Sequence, residues 1–150
     1  MKGRLACVVL FCVFVTFASQ AQVRSFGLGV ILGEPTGLSG KAVLSERNAV
    51  DAAIAWSFRR NGHLHLHADY LWLFPHVIRS SEQFTLFAGL GGRIVLGRGY
   101  GVLGARIAGG ISWLPRRSLL EIFLEVAPIL DLVPATELSA NGGLGIRLYF

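Results

Sequence analysis

Residues Val50–Phe74 read VDAAIAWSFRRNGHLHLHADYLWLF, and apolar side chains recur through this stretch at every second position. Val50, Ala52, Ile54, Trp56 and Phe58 interleave with Asp51, Ala53, Ala55, Ser57 and Arg59. Further on, Leu64, Leu66, Ala68, Tyr70, Trp72 and Phe74 take one parity, while His63, His65, His67 and Asp69 take the other. Successive side chains of a strand point to opposite faces, so the stretch reads as two long strands, each with one apolar and one polar face. Between them lies Arg60-Asn61-Gly62. A three-residue connection with Gly62 in the left-handed conformation keeps the parity, and it sets Arg59 across from His63 and Ser57 across from His65.

The same parity, punctuated by turn residues, divides the rest of the chain into strands. The first is expected from Val23 to Gly33, and Glu34-Pro35-Thr36-Gly37 turns into Leu38 to Ser45. Glu46-Arg47-Asn48 leads into Ala49 to Arg59, followed by His63 to Phe74. After the longest connection, Pro75 to Gln83, come Phe84 to Leu96, Val102 to Leu114, Leu119 to Val133 and Leu138 to Phe150. The resulting count of eight is even, as an up-and-down barrel with both termini on one side requires.

Lys2 and Arg4 precede an apolar run from Leu5 to Ala18, followed by Ser19-Gln20-Ala21 with small residues at the first and third positions. This is the pattern of a secretory signal peptide over residues 1–21, leaving residues 22–150 as a single β-barrel domain. Both cysteines, Cys7 and Cys12, fall in the leader, so the expected mature chain has no disulfide and no thiolate metal site. Lys2 and Arg4 leave with it, so 12 of the 14 basic residues face 9 acidic ones, an excess too small to argue for nucleic acid. The composition is 53% hydrophobic, yet the mature part holds no uninterrupted apolar run of the roughly 20 residues that a spanning helix needs. A chain of this character that crosses a membrane must do so as a closed barrel, because lipid satisfies no open backbone groups.

Alternation does not say which face looks inward, but volume does. Eight strands enclose an interior just wide enough to be filled by side chains. One parity carries Phe26, Leu28, Ile54, Trp56, Tyr70, Trp72, Leu90, Ile107, Leu124, Ile146 and Phe150 among others, which would overfill it. The opposite parity carries Gly27, Gly29, Gly89, Gly91, Gly104, Gly110, Gly143 and Gly145. The apolar face therefore looks out to lipid. Inward positions then hold Lys41, Arg59, Arg93, Arg106 and Arg147 against Asp51, Asp69, Glu121, Glu125 and Asp131. Charges taken from water are costly unless paired, so this balance predicts a ladder of ion pairs that plugs the lumen rather than a wide aqueous pore. If both termini face the periplasm, aromatic girdles are expected from Phe26, Trp72, Phe74, Phe84, Trp113 and Phe150 at the inner rim and from Trp56 and Phe58 at the outer.

A leader, eight amphipathic strands and the final segment Leu144-Gly145-Ile146-Arg147-Leu148-Tyr149-Phe150 together resemble the small outer-membrane β-barrels of Gram-negative bacteria, the OmpA-like superfamily. The resemblance implies residence in the outer membrane, contact with outer-membrane lipid, and handling by the secretion and barrel-assembly machinery. It also implies that Leu144, Ile146, Leu148 and Phe150 form the assembly signal. One departure is that every expected outer loop is short and the longest connection is periplasmic. That argues against an adhesin or receptor, since no large surface is displayed.

Two chemical readings compete with a purely structural one. His63, His65 and His67 share the inward face, and histidines two apart on a strand can reach one metal ion, with Asp69 as a further ligand or as an orienting group. Lumen packing and hydrogen bonding explain the same residues, and no metal or other cofactor is assigned. Ser57 opposite His65, with Glu121 or Glu125 approaching, would make a lipid-modifying hydrolase, but only if Pro128 opened a lateral gap between strands. The glycine groups 89–92 and 142–145 lack the Lys-Ser/Thr sequel of a phosphate loop. The expected protein is thus a non-enzymatic barrel, with a narrow small-solute channel, a metal-binding barrel and a lipid-modifying enzyme as alternatives.

Overall fold

The computed structural model describes residues 25–34, 36–57 and 62–150. Eight strands run in chain order: β1 (Phe26–Glu34), β2 (Gly37–Ser45), β3 (Asn48–Ser57), β4 (His63–Pro75), β5 (Gln83–Gly97), β6 (Tyr100–Leu114), β7 (Leu120–Val133) and β8 (Glu137–Tyr149). Each pairs antiparallel with its sequence neighbours, and β1 closes on β8 from Gly27↔Tyr149 to Glu34↔Gly142. Closure leaves no open edge strand, as a barrel in lipid requires. At the rim that carries both ends of the barrel, Phe150 N–H donates to Phe26 C=O at 2.9 Å and Val43 N–H to Ser25 C=O at 2.7 Å.

The expected leader over residues 1–21 and the start of the first strand at Val23 lie outside the described residues. Elsewhere strand limits match those read from the parity to within one or two residues. The β3/β4 register differs. Ser57 lies opposite His63 and Ala55 opposite His65, so the ladder is displaced by two residues from the one a three-residue turn would give. A shift of two preserves which face each side chain takes, and parity therefore cannot detect it. Gly62 does sit at positive φ, 33°.

Large apolar side chains on the outer face are exposed along every strand, among them Leu28, Leu38, Ile54, Tyr70, Leu90, Ile107, Val126 and Ile146. Such a continuous apolar surface has no counterpart on a soluble monomer, where contiguous exposed patches rarely exceed a few hundred Å². The strands are unequal: β1 and β2 have 9 residues each, whereas β5 and β6 have 15. A tilted strand needs about 9–11 residues to cross a bilayer, so the shortest pair just spans and the longest projects beyond it.

Inside, the packing is more mixed than the sequence suggested. Leu71, Leu73 and Phe87 are buried with Ala49, Ala108 and Ala127, and Phe123 with Ile31 and Ala53. The lumen glycines make room for these rings: a Cβ on Gly145 would lie 2.1 Å from Phe123 Cζ, and one on Gly110 would lie 2.5 Å from Phe87 Cζ. Small residues on one strand thus accommodate large ones on the next, which is how so narrow an interior reaches close packing.

Candidate functional site

The described inward charges converge in the lumen. Strand β7 supplies three of its acids, Glu121, Glu125 and Asp131, on one face. At about 3.3 Å per residue they are spread over roughly 30 Å of strand, so each organises a separate tier.

Nearest the terminus-bearing rim, Lys41 Nζ donates to Glu121 Oε1 at 2.8 Å, and Tyr149 O–H donates to Glu121 Oε2 at 3.0 Å. Arg147 joins this tier through Glu121 Oε2 at 3.3 Å and Asp51 Oδ2 at 3.1 Å. It also donates twice to Ser39 Oγ, at 2.8 and 3.0 Å, and its guanidinium carbon lies 3.8 Å from the Phe123 ring centroid. Four strands, β2, β3, β7 and β8, are tied together here. An arginine fits where a lysine would not, because its planar fork serves several acceptors and stacks on a ring at once.

In the middle tier Arg106, 1% exposed, donates from Nη2 to Glu125 Oε1. Its Nε is 3.0 Å from Asp69 Oδ1. That contact is an ion pair without hydrogen-bond alignment, since neither oxygen of Asp69 has a hydrogen-bond partner. Asp69 also lies directly opposite Asp51 across β3/β4, a like-charge juxtaposition that disfavours pairing unless cations flank it. His67, Asp69 and Glu125 each offer one ligand atom within 4.8 Å of the others.

Beyond it, Arg93 grips Asp131 with two donors, Nε to Oδ1 at 2.9 Å and Nη2 to Oδ2, and reaches Ser139 Oγ at 2.8 Å. Asn141 lies within 3.5 Å of both Arg93 and His65 Nε2, and His65 Nε2 is 3.3 Å from His67 Nδ1. His65 and His67 are buried, while His63 is half-buried.

Nine of the ten charged lumen residues read from the sequence are therefore placed in the lumen: Lys41, Asp51, Asp69, Arg93, Arg106, Glu121, Glu125, Asp131 and Arg147. Arg59 lies outside the described residues. Leu144, Ile146, Leu148 and Phe150 are exposed on the outer face. The polar partners Ser39, Tyr149, Ser139 and Asn141 were not singled out, although all four occupy the inward parity of their strands. Parity was the available signal. The Ser57–His65 pairing needed by a hydrolase is absent from the ladder, where Ala55 faces His65. The Pro128 irregularity is small: paired residues on β6 stop at Arg106 and resume at Gly109 in the same register with β7. A second irregularity shifts the β6/β7 register between Leu103 and Gly104.

At the rim that carries both ends of the barrel the girdle takes shape around Phe26, Trp72, Phe74 and Phe150, all exposed, and a stacked Phe84–Trp113 pair with centroids 6.2 Å apart. Trp56 is exposed near the opposite rim, and Phe58 lies outside the described residues. A cavity of about 330 Å³ opens at the rim that carries both ends of the barrel, with Lys41, Glu121 and Tyr149 in its wall.

No family model matches the chain, and no curated protein matches it in sequence. Among solved structures it is similar to the N-terminal β-barrel domain of Pseudomonas aeruginosa OprF, with a TM-score of 0.59 at 12% identity over 84% of this chain and 96% of that one. Neisserial surface protein A, NspA, is similar at a TM-score of 0.46 and 13% identity, covering 84% of this chain and 94% of that one. The likeness to the OprF domain is one of fold: like that domain, this chain is a β-barrel.

Proposed function

We propose that this protein is an integral outer-membrane β-barrel with a structural, non-enzymatic role, whose lumen is closed by its own ion pairs. The observation that carries the reading is the inversion of polarity: the exterior is apolar along all eight strands, while Arg106, Arg147, Asp51, Asp69 and Glu121 are almost fully buried inside. In water this distribution would expose a large apolar surface; in lipid it satisfies both faces. Three bridged tiers across a lumen of eight strands leave little free bore, which favours a plug over a solute channel. The expected leader and the outward row Leu144, Ile146, Leu148 and Phe150 support export and handling by the barrel-assembly machinery. The Ala55–His65 pairing, and the resumption of β6/β7 pairing in one register on both sides of Pro128, speak against a lipid-modifying enzyme.

The test is migration on a denaturing gel after refolding in detergent or lipid, unheated against boiled, followed by planar-bilayer recording. A heat-modifiable, protease-resistant band without conductance steps is expected. A monomer that stays folded in plain buffer would overturn the membrane reading, and steady conductance would replace the plug with a channel.

A further inference from the structure

The lumen contains more than a plug requires. We infer that His67, Asp69 and Glu125 form a buried site for one divalent transition-metal ion, of the zinc class, bridging β4 and β7. Three observations carry this.

The donor set is the first. One imidazole and two carboxylates present ligand atoms within 4.8 Å of one another, drawn from two strands that are not adjacent in the barrel. In a tetrahedral zinc site with bonds of about 2.0–2.1 Å, ligand atoms stand about 3.4 Å apart, so closing the site asks only for side-chain adjustment. One nitrogen and two oxygen ligands suit zinc, manganese or ferrous iron rather than calcium or a soft ion.

The second is Asp69 itself. It is 2% exposed, yet neither of its carboxylate oxygens has a hydrogen-bond partner, and Oδ1 of Asp51 opposite is likewise without one. Buried carboxylates are normally hydrogen-bonded, and a bound ion is one of the ways an unpartnered one is satisfied. Arg106 meets that need only in part: it pairs with Asp69 as an ion, while its own Nε and Nη1 are left without hydrogen-bond partners. It directs a hydrogen bond to Glu125 and touches Asp69 only off-line. Among the described residues, the tiers around Arg106 and Arg147 hold Asp51, Asp69, Glu121 and Glu125 against Lys41, Arg106 and Arg147. The acids exceed the bases by one.

The third is the arrangement behind the imidazole. His67 Nδ1 faces His65 Nε2 at 3.3 Å, and His65 in turn lies within 3.5 Å of Asn141. Such a contact fixes the ring of a metal-bound histidine and leaves Nε2 of His67 to coordinate. The pairing differs from the one suggested by histidine spacing along β4: the metal partner of His67 is Glu125 on a distant strand, and His65 supports the ring.

The inference needs the closed barrel but neither the membrane nor the plug. The mature chain, residues 22–150 and free of thiols, would be refolded in detergent with Zn²⁺ present, passed over a desalting column and assayed for bound metal by mass spectrometry. One zinc per chain is expected in the wild type and in His63→Ala, and loss of that equivalent in His67→Ala and Asp69→Asn. X-ray absorption of the wild type should show one imidazole with oxygen ligands. Absence of bound zinc in the folded wild type, equal zinc in all variants, or a two-imidazole spectrum would each overturn the site. Because barrel formation is read separately from the heat-modifiable band, failure of the metal site leaves the membrane reading standing.

Discussion

Phe123 on β7 lies flat beneath Arg147 on β8, with the guanidinium carbon 3.8 Å from the ring centroid, and its far edge fills the space over Gly145. An aromatic ring thus carries part of the charge network, and a missing side chain on the next strand makes its position possible. Gly145→Ala would put a methyl 2.1 Å from the ring tip and 2.9 Å from the Val30 carbonyl. Overpacking of this kind costs about 1–3 kcal/mol. Urea unfolding in lipid vesicles, followed by tryptophan fluorescence, should show that loss. Adding Phe123→Leu should recover part of it, since the clash is with the ring.

Arg147 ties Asp51, Glu121 and Ser39 together, and Asp51 has no other ion-pair partner among the described residues. Arg147→Met leaves the Asp51 carboxylate buried and uncompensated, a loss of about 3–5 kcal/mol. Combining it with Asp51→Asn removes the stranded charge, so the double variant should be more stable than Arg147→Met alone. A double-mutant cycle on the same vesicle assay measures the coupling.

Val126 is near the middle of β7 and is 59% exposed on the outer face. If that face meets hydrocarbon, Val126→Arg should destabilise the barrel by about 2–4 kcal/mol, while Leu138→Arg, on the same outer face at the end of β8, should cost about 0–1 kcal/mol. Equal, near-zero effects in the same unfolding assay would mean that water covers the exterior.

The topology makes a labelling prediction. Both cysteines, Cys7 and Cys12, belong to the expected leader, so single cysteines can be placed in an otherwise thiol-free barrel. Arg98 lies in the short turn between β5 and β6, at the rim opposite the barrel's ends, and Glu82 lies in the β4–β5 connection at the rim beside them. With the ends facing the periplasm, a membrane-impermeant maleimide should label Arg98→Cys on intact cells and reach Glu82→Cys only after lysis. The reverse pattern would invert the barrel.

The two-residue period by itself determined the number of strands, their approximate limits, the outward apolar face and the inward identity of nine described charges. It could do so because side-chain direction in a strand depends only on parity and because an eight-stranded interior has no room for the bulkier set. Parity has no memory of a two-residue slip, so the pairing of Ser57 with His63 came only from the fold. Nor does parity record which strands face one another across the lumen. That Arg147 rests on Phe123, that Glu121 joins Lys41 to Tyr149, and that Glu125 approaches His67 and Asp69 follow from closing the sheet on itself. Those distances are set by the stagger of eight strands around a common axis, a property of the whole barrel that no local stretch of the chain contains.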